Sequence, residues 1–256
     1  MSAAVGKIPF SIISIVLEAA VGAVVSALYE FIDTKGLGII PWFESQFKFR
    51  DKDVYLSFAY LYRIQVDGKY LLVRGNRMKD RYQPIGGVYK YYAEAKPELE
   101  KLGYNPDVTM GNVDETDDLR LHLRGKKVPS FFEWFSKMQN REYDPCREFY
   151  EELIETGLLS EADFKKLKYR KVGTHNVGFT YFVGAENKSN RRPEFIYADI
   201  FELQLTEQQQ ECIREAILKN PGALCLATIE EIRSRRYNNS VEMTVGNNAV
   251  WSLGEV

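Results

Sequence analysis

The residues of this chain best suited to chemistry are the carboxylates of one predicted helix, residues 144–157 (DPCREFYEELIETG). Four glutamates recur there at intervals of three and four residues, which places them on one helical face: Glu148, Glu151, Glu152 and Glu155. Clustered carboxylates repel one another unless cations or basic groups neutralise them, and Mg²⁺ binds through one or two carboxylates together with phosphate oxygens. The pattern therefore favours a cation site that handles phosphate. The alternative is an ordinary solvated face in which Arg147 pairs with Glu151.

Both ends of this helix are specified by residue type. Asp144 is suited to cap the first turn, Pro145 to occupy the first helical position, and Gly157 to adopt the left-handed conformation beyond the end. A second set of residues at helical spacing predicts a buried stripe: Cys146, Phe149, Tyr150, Leu153 and Ile154. The carboxylates and the stripe therefore belong to different faces.

A hairpin is predicted well before this helix. Residues 53–65 are rich in Val, Tyr, Leu, Phe and Ile, and Asp67-Gly68 is the two-residue turn signal that joins them to residues 69–74. A basic loop, residues 74–81 (RGNRMKDR), then leads to a short strand at residues 83–88. The pair Gly86-Gly87 in that strand allows a close backbone approach, although most glycine pairs are simple turns.

The middle of the chain, residues 89–143, is predicted to be an insertion, because recognisable core elements lie on both sides of it. Its acidic stretch, residues 114–118, indicates a solvated loop, since it lacks the glycine and terminal glutamate of a calcium loop. The remaining predictions are helices at 130–139, 160–165, 206–220 and 228–236, and strands at 166–173, 177–183 and 194–205. Residues 241–256 stay open between a terminal strand and an extension to a neighbour.

The N-terminus differs from the rest of the chain. Residues 8–32 (IPFSIISIVLEAAVGAVVSALYEFI) are long and apolar enough to form a transmembrane helix. A cleaved signal peptide is disfavoured, because the run exceeds an ordinary signal core and no convincing cleavage site follows. A buried amphipathic helix is the other alternative, and Glu18 favours it. Gly22 and Ser26 share a row on which another helix can approach closely, which indicates self-association.

Charge and composition exclude several classes of protein. The 256 residues carry 34 Lys+Arg and 36 Asp+Glu, so a net charge of −2 offers no global field for binding duplex nucleic acid. Three cysteines lie far apart, which suggests neither a disulfide framework nor a zinc cluster. The two histidines, His122 and His175, do not stand at the spacing of zinc hydrolases or deaminases.

More basic residues follow the apolar segment than precede it, so the large C-terminal part is expected in the cytoplasm.

Taken together, Gly86-Gly87 and the run Arg147-Glu148-Phe149-Tyr150-Glu151-Glu152 resemble the two ends of a Nudix box. About fifty residues separate the two halves, the first-half glutamate position falls on Ala93 with Glu94 one place late, and four residues instead of one lie between Glu152 and Gly157. This split box, together with residues 119–127, the aromatic run 131–135 and residues 141–149, resembles the SMODS-associated Nudix domain over about residues 48–205.

The resemblance implies an α/β fold: a Nudix-like α/β/α sandwich with an insertion inside the Nudix box, preceded by an N-terminal transmembrane helical segment. The expected divisions are a membrane segment at residues 1–36, a linker at 37–47 and a sensor domain at 48–256, with the insertion at about 89–143. Members of this family are described with two membrane helices, whereas this chain has one convincing span, because residues 36–43 are too short to cross a bilayer.

Two functions follow as hypotheses from that resemblance. The first is a membrane-anchored effector of bacterial cyclic-oligonucleotide anti-phage signalling (CBASS), oligomeric in the inner membrane, which binds its messenger without turnover. Its expected ligand-binding residues are Arg74, Arg77, Arg81, Gly86, Gly87 and Tyr91, with Tyr92 nearby. The second is a hydrolase of nucleoside diphosphate derivatives, in which Glu148, Glu151 and Glu152 hold Mg²⁺, Glu151 and Glu152 serve catalysis, and Arg147 orients the carboxylates.

Overall fold

The structure is a computed structural model. It describes residues 21, 22, 26, 37–75, 79–106, 117–181, 192–240 and 242–254. The predicted membrane segment lies outside the described residues except for Val21, Gly22 and Ser26, which are helical. In the portion of the chain described, no helix is long and apolar enough to cross a bilayer.

The described chain alternates strands and short helices. The helices are α1 (Ile39–Gln46), α2 (Lys96–Leu102), α3 (Val128–Ser136), α4 (Cys146–Phe149), α5 (Glu161–Phe164), α6 (Glu207–Lys219), α7 (Ile229–Ser234) and α8 (Asn247–Ser252). The strands are β1 (Asp53–Arg63), β2 (Gln65–Val66), β3 (Lys69–Arg74), β4 (Arg81–Gln83), β5 (Gly86–Val88), β6 (Asn105–Pro106), β7 (Arg120–Arg124), β8 (Tyr169–Tyr181), β9 (Pro193–Leu203), β10 (Leu224–Ala227) and β11 (Thr244–Val245).

These strands form two mixed sheets. The first sheet has six strands in the order β6-β7-β1-β9-β8, with β5 also paired to β1. Within it β1 runs parallel to β9 and antiparallel to β5 and β7. The second sheet has five strands in the order β10-β3-β4-β11, with β2 paired to β3. This mixed α/β arrangement is consistent with a Nudix-like domain.

Strand β1 organises the main core because one of its faces is aromatic. Phe58, Tyr60 and Tyr62 alternate along it and are almost completely buried. Phe58 contacts three aromatic rings of α3: Phe131, Phe132 and Phe135. Tyr62 contacts Phe149 of α4, with ring centroids 6.0 Å apart. The opposite face of β1 forms a smaller cluster, in which Leu61 packs with Ala198 and Ile200.

Residues 89–143, predicted to be an insertion, form an integral part of this core. Its strand β7 pairs with β1 along residues 53–57, and its helix α3 supplies the rings around Phe58. The insertion begins and ends at one place, because Tyr91 and Arg141 form an antiparallel bridge. The sequence prediction for residues 89–143 did not include strand β7 or helix α2, because their short apolar runs carry little periodic signal.

Other segments differ from expectation in detail. Residues 37–47, predicted to be a linker, contain α1, and Leu37 and Ser45 within them are buried. The two strands predicted at 166–173 and 177–183 are the single strand β8, which has register irregularities at Lys171/Gly173 and Asn176/Phe179. Residues 241–256, for which a terminal strand and an extension to a neighbour were the two alternatives, contain β11 and α8.

Candidate functional site

The helix that carries the carboxylates ends as its sequence specifies but begins one residue later than predicted, because Pro145 precedes the first helical residue, Cys146. The Asp144 carboxylate accepts a hydrogen bond from the Cys146 backbone N–H at 2.9 Å, and Gly157 has a φ of +73°. After α4 the helix widens to a π-helix at Tyr150–Ile154, so that the Glu155 N–H donates to the Tyr150 carbonyl. We call residues 146–154 the site helix. Such π segments recur at functional sites because they rotate the side chains that follow them.

Arg147 ties the site helix to strand β5. Its Nη2 donates to the Val88 carbonyl at 2.9 Å, and its Nε donates to the Glu142 carboxylate at 3.0 Å. Its Nη1 donates to Glu148 at 2.7 Å and to Glu151 at 3.1 Å. One guanidinium therefore donates hydrogen bonds to three carboxylates and fixes where the helix lies against the sheet.

Glu142 is the residue of this network that the sequence analysis missed. It is 7% exposed, and its carboxylate also accepts hydrogen bonds from the Lys90 backbone N–H at 3.0 Å and from the Tyr60 hydroxyl at 3.4 Å. The position counted from Gly87 fell on Ala93, but Ala93 begins a 3₁₀ turn inside the insertion. The only available signal was an acidic residue shortly before Arg147, and spacing alone did not select it.

The glycine pair allows the site helix to approach the sheet closely. A Cβ on Gly87 would overlap the Glu148 carboxylate, and a Cβ on Gly86 would overlap the Tyr60 carbonyl. Gly86 also has a φ of +153°, a conformation that L side chains rarely adopt. The predicted close approach at Gly86-Gly87 is therefore present, and it brings glutamate side chains against the backbone of β5.

Two of the carboxylates are buried in different settings. Burial raises the pKa of Glu148, although the charge of Arg147 opposes the shift. Burial, reinforced by the negative charge of Glu148, raises the pKa of Glu152 to about 8, while a hydrogen bond from the Gly86 backbone opposes the shift. Oε2 of Glu152 is buried without a hydrogen-bond partner within the part of the chain that the structure describes. Glu152 is therefore the carboxylate available for a ligand.

A pocket of about 450 Å³ lies beside Glu152, between the site helix and the second sheet. It is lined by Val73, Arg74, Gly75, Lys79, Glu152, Thr156, Leu158, Pro221, Gly222 and Ala223. Cationic side chains stand on the sheet side, and a carboxylate and a hydroxyl stand on the helix side. Ligand sites of this volume, with a few polar groups on an otherwise apolar lining, accommodate molecules of nucleotide size.

The structure brings only some of the predicted ligand-binding residues to this pocket. Arg74 lines it, and Arg81 begins β4 in the same sheet. Arg77 lies outside the described residues. Tyr91 is 3% exposed, and its hydroxyl lies 3.3 Å from that of Tyr104, so its ring belongs to the base of the insertion. Tyr92 is half exposed nearby.

The remaining pocket residues were not predicted. Lys79 stands in the basic loop that the sequence analysis noted, so its charge was visible there. Thr156 is close to Glu152 through the local chain, since its hydroxyl donates to the Glu152 carbonyl at 2.7 Å. The turn at Pro221-Gly222 gave no signal, because its proximity to Glu152 depends on how β10 pairs with β3. A local sequence pattern carries no information about that pairing.

The carboxylates do not form a metal-binding set in this arrangement. Glu148 and Glu151 both pair with Arg147, whereas Glu152 turns toward the pocket. Among the described residues, no group of three or more His, Cys, Asp or Glu side chains is placed to hold a metal ion. The donor chemistry suits Mg²⁺, and the Mg²⁺ hypothesis stays a prediction.

Two mixed sheets, a glycine pair against a helix and an arginine that clamps that helix are consistent with a Nudix-type domain. A family model described as the SMODS-associated NUDIX domain matches residues 53–253, and the chain belongs to this family. No curated protein and no solved structure matches the chain. The match extends past residue 205, where the predicted likeness ended, and thus includes β10, β11 and the three helices α6, α7 and α8.

Proposed function

We propose that this chain is a membrane-anchored effector of a bacterial CBASS system. In this proposal the Nudix-like domain binds a cyclic oligonucleotide, and the N-terminal segment disrupts the inner membrane. Membership of the SMODS-associated family supports the link to CBASS effectors. The apolar run at residues 8–32 supports the membrane part, since its length suffices to cross a bilayer.

The observation that carries the proposal is the pocket beside the site helix. Arg74 and Lys79 supply the charge that a phosphate needs, and Glu152 offers an unpartnered carboxylate oxygen. A protonated carboxyl donates one hydrogen bond and accepts others, so it can read the polar edge of a base. The pocket thus combines a phosphate subsite with a base subsite.

The contacts of Arg147 favour binding over turnover. Hydrolysis assisted by Mg²⁺ needs carboxylates that are free to meet the metal. Here the Arg147 guanidinium holds Glu148 and Glu151 at hydrogen-bond distance. A sensor requires the helix to stay in place, and this clamp keeps it there.

The output of the proposed sensor is a change in the N-terminal segments of several subunits. Gly22 and Ser26 are spaced for close helix packing, which supports a homo-oligomer in the bilayer. The Nudix-like domain then lies in the cytoplasm, where the messenger is made. Even a modest coupling of about 1–3 kcal/mol per site becomes a sharp switch when subunits respond together.

The decisive experiment is a binding screen of the full-length protein in detergent against cyclic di- and trinucleotides, with product analysis of the same samples. Tight binding of one ligand that is recovered intact supports the sensor. The variants Arg74→Ala and Lys79→Ala should each weaken that ligand by about tenfold. The matched control is Lys137→Ala, a half-exposed lysine at the end of α3. Equal affinity in all three variants contradicts the pocket assignment.

A second candidate function is supported by the order of residues on the site helix. Glu148, Glu151 and Glu152 keep the R-E-x-x-E-E pattern that carries the metal in Nudix hydrolases. If the chain hydrolyses nucleoside diphosphate derivatives with Mg²⁺, replacing Glu151 and Glu152 together by glutamine should abolish turnover. Unchanged turnover in that variant excludes the hydrolase. Product release by the wild type without binding of cyclic ligands excludes the sensor.

A further inference from the structure

Two basic segments of the chain are unusual in their charge density. Residues 74–81 contain four basic residues and one acidic residue, and residues 233–236 contain three basic residues and no acidic one. The chain as a whole has a net charge of −2, so these segments concentrate positive charge locally. The first segment borders the pocket, and the second was assigned no role above.

The second sheet brings these two segments together. Strand β11 pairs with β4 so that Thr244 lies opposite Arg81, and Arg236 forms an antiparallel bridge with Thr244. Residues directly opposite one another project from the same face of a sheet. Because neighbouring strands lie about 4.8 Å apart, the backbones of Arg81 and Arg236 are about 10 Å apart, with the small Thr244 between them.

The face that carries these arginines reaches one residue of the pocket lining, Val73, whereas Arg74 lies opposite Tyr82 on the other face. Val73 lies opposite Gln83 in the pairing of β3 with β4, and Gln83 is two residues from Arg81. Alternation along β4 therefore puts Val73, Gln83 and Arg81 on one face. Val73 lines the pocket. A row of residues on one face thus leads from Val73 at the pocket past Arg81 to Arg236, over three strand spacings or about 14 Å.

The acidic residue closest in sequence to the second basic segment is occupied elsewhere. Glu231 accepts hydrogen bonds from the backbone N–H groups of Thr228 and Asn238, one on each carboxylate oxygen. Arg235 donates to the Asn247 side chain, whereas Arg236 is exposed at the edge of the sheet. Glu231 keeps its negative charge in these bonds, and Arg236 reaches solvent at the edge of the sheet, where it can meet an anion.

We propose that the ligand site continues from the pocket across Arg81 to Arg236, and that the ligand is an oligonucleotide with at least two phosphates. This inference rests on the proposed function of the pocket. A mononucleotide held in the pocket leaves Arg236 without a contact. An oligonucleotide places a further phosphate at the edge of the sheet, so Arg236 discriminates ligands by length. The C-terminal strand β11 and the loop before it thereby belong to the ligand site.

The test compares Arg236→Ala with the wild type as full-length protein in detergent. The probes are cyclic di- and trinucleotides of the four common nucleosides, and the corresponding 5′-mononucleotides. Arg236→Ala should weaken the best-bound cyclic oligonucleotide by about tenfold, which is the loss of one charge-assisted hydrogen bond. It should also lower the salt slope of binding by about one unit. Binding of the mononucleotide should not change.

Two further variants complete the test. Lys101→Ala removes an exposed cation from α2, far from the second sheet in the chain, and should leave every affinity unchanged. Arg236→Lys should recover most of the lost affinity because it restores the charge. If Arg236→Ala binds the cyclic ligand as the wild type does, or loses both ligands equally, the extended site is wrong while the pocket stands. If the wild type binds none of the oligonucleotides, both proposals fail.

Discussion

At the scale of single residues, the Glu142–Arg147 pair holds the site together. Arg147 is about one-quarter exposed, and Glu142 is almost completely buried. We expect Glu142→Gln to lower the free energy of unfolding by about 1–3 kcal/mol, because the guanidinium loses its buried charged partner. Urea unfolding at pH 7 measures the effect. Glu155→Gln, at an exposed position beside the site helix, serves as the control and should change stability by less than about 0.5 kcal/mol.

Glu152 makes stability depend on pH in a direction that can be derived. Its pKa is about 8 in the folded chain, against an ordinary value of 4.5, so between these values the folded state holds a proton that the unfolded state has lost. Stability therefore falls as pH rises through this window, by up to about 1.4 kcal/mol per pH unit. Glu152→Gln should remove this pH dependence. Its free energy of unfolding, relative to that of the wild type, should therefore increase progressively from pH 5 to pH 8.

The measurement is the free energy of unfolding at several pH values for the wild type, Glu152→Gln and Glu155→Gln. Glu155→Gln should run parallel to the wild type over the whole range. A constant difference between Glu152→Gln and the wild type would mean that Glu152 titrates in the folded chain as it does in the unfolded one.

At the scale of elements, strand β5 is fitted to the site helix by its two glycines. Gly86→Ala should cost about 3 kcal/mol, because the new Cβ meets the rigid Tyr60 carbonyl at an unfavourable φ. Gly87→Ala should cost less, since the overlapping group is the Glu148 side chain, which can move away. Gly173→Ala is the control, because its Cβ meets nothing within 4 Å. Equal stability of the Gly86 and Gly173 variants in urea would contradict the close approach.

The insertion gives a second prediction at this scale. Phe131 of α3 is completely buried against Phe58, so Phe131→Ala should lower the free energy of unfolding by about 3–5 kcal/mol. Tyr143→Ala, near the end of the insertion and two-thirds exposed, should change it by less than about 0.5 kcal/mol. If the two variants are equally stable, the insertion is an appendage instead of part of the core.

Elements with local signals were predictable from the sequence, and those without were not. The site helix could be predicted because Asp144 and Gly157 mark its ends, and the hairpin because Asp67-Gly68 forms its turn. Strand β10 was missed because its four residues follow a helix without a strand-like alternation. The Glu142 anchor and the pocket were missed because both depend on contacts between residues distant in sequence.

At the scale of the whole molecule, the proposed anchor can be tested without knowing the ligand. The apolar run at residues 8–32 predicts that the full chain stays in the membrane fraction after a carbonate wash. A chain that begins at residue 37 should be released into the supernatant. Release of the full chain by carbonate, or its purification without detergent as a monomer, contradicts the anchor.

The hydrogen bonds between Lys90 and Glu142, where the predicted insertion starts and ends, affect which changes in chain length this domain can accept. The Glu142 N–H donates to the Lys90 carbonyl at 2.7 Å, and the Lys90 N–H donates to the Glu142 side chain, so the chain leaves and re-enters the domain at one point. Glu142 comes directly after residues 91–141. Strand β5 and the site helix therefore have to be close in space, but no fixed number of residues is needed between them. Changes in the number of residues between Lys90 and Glu142 that spare β7 and α3 therefore leave the register of the site unaltered.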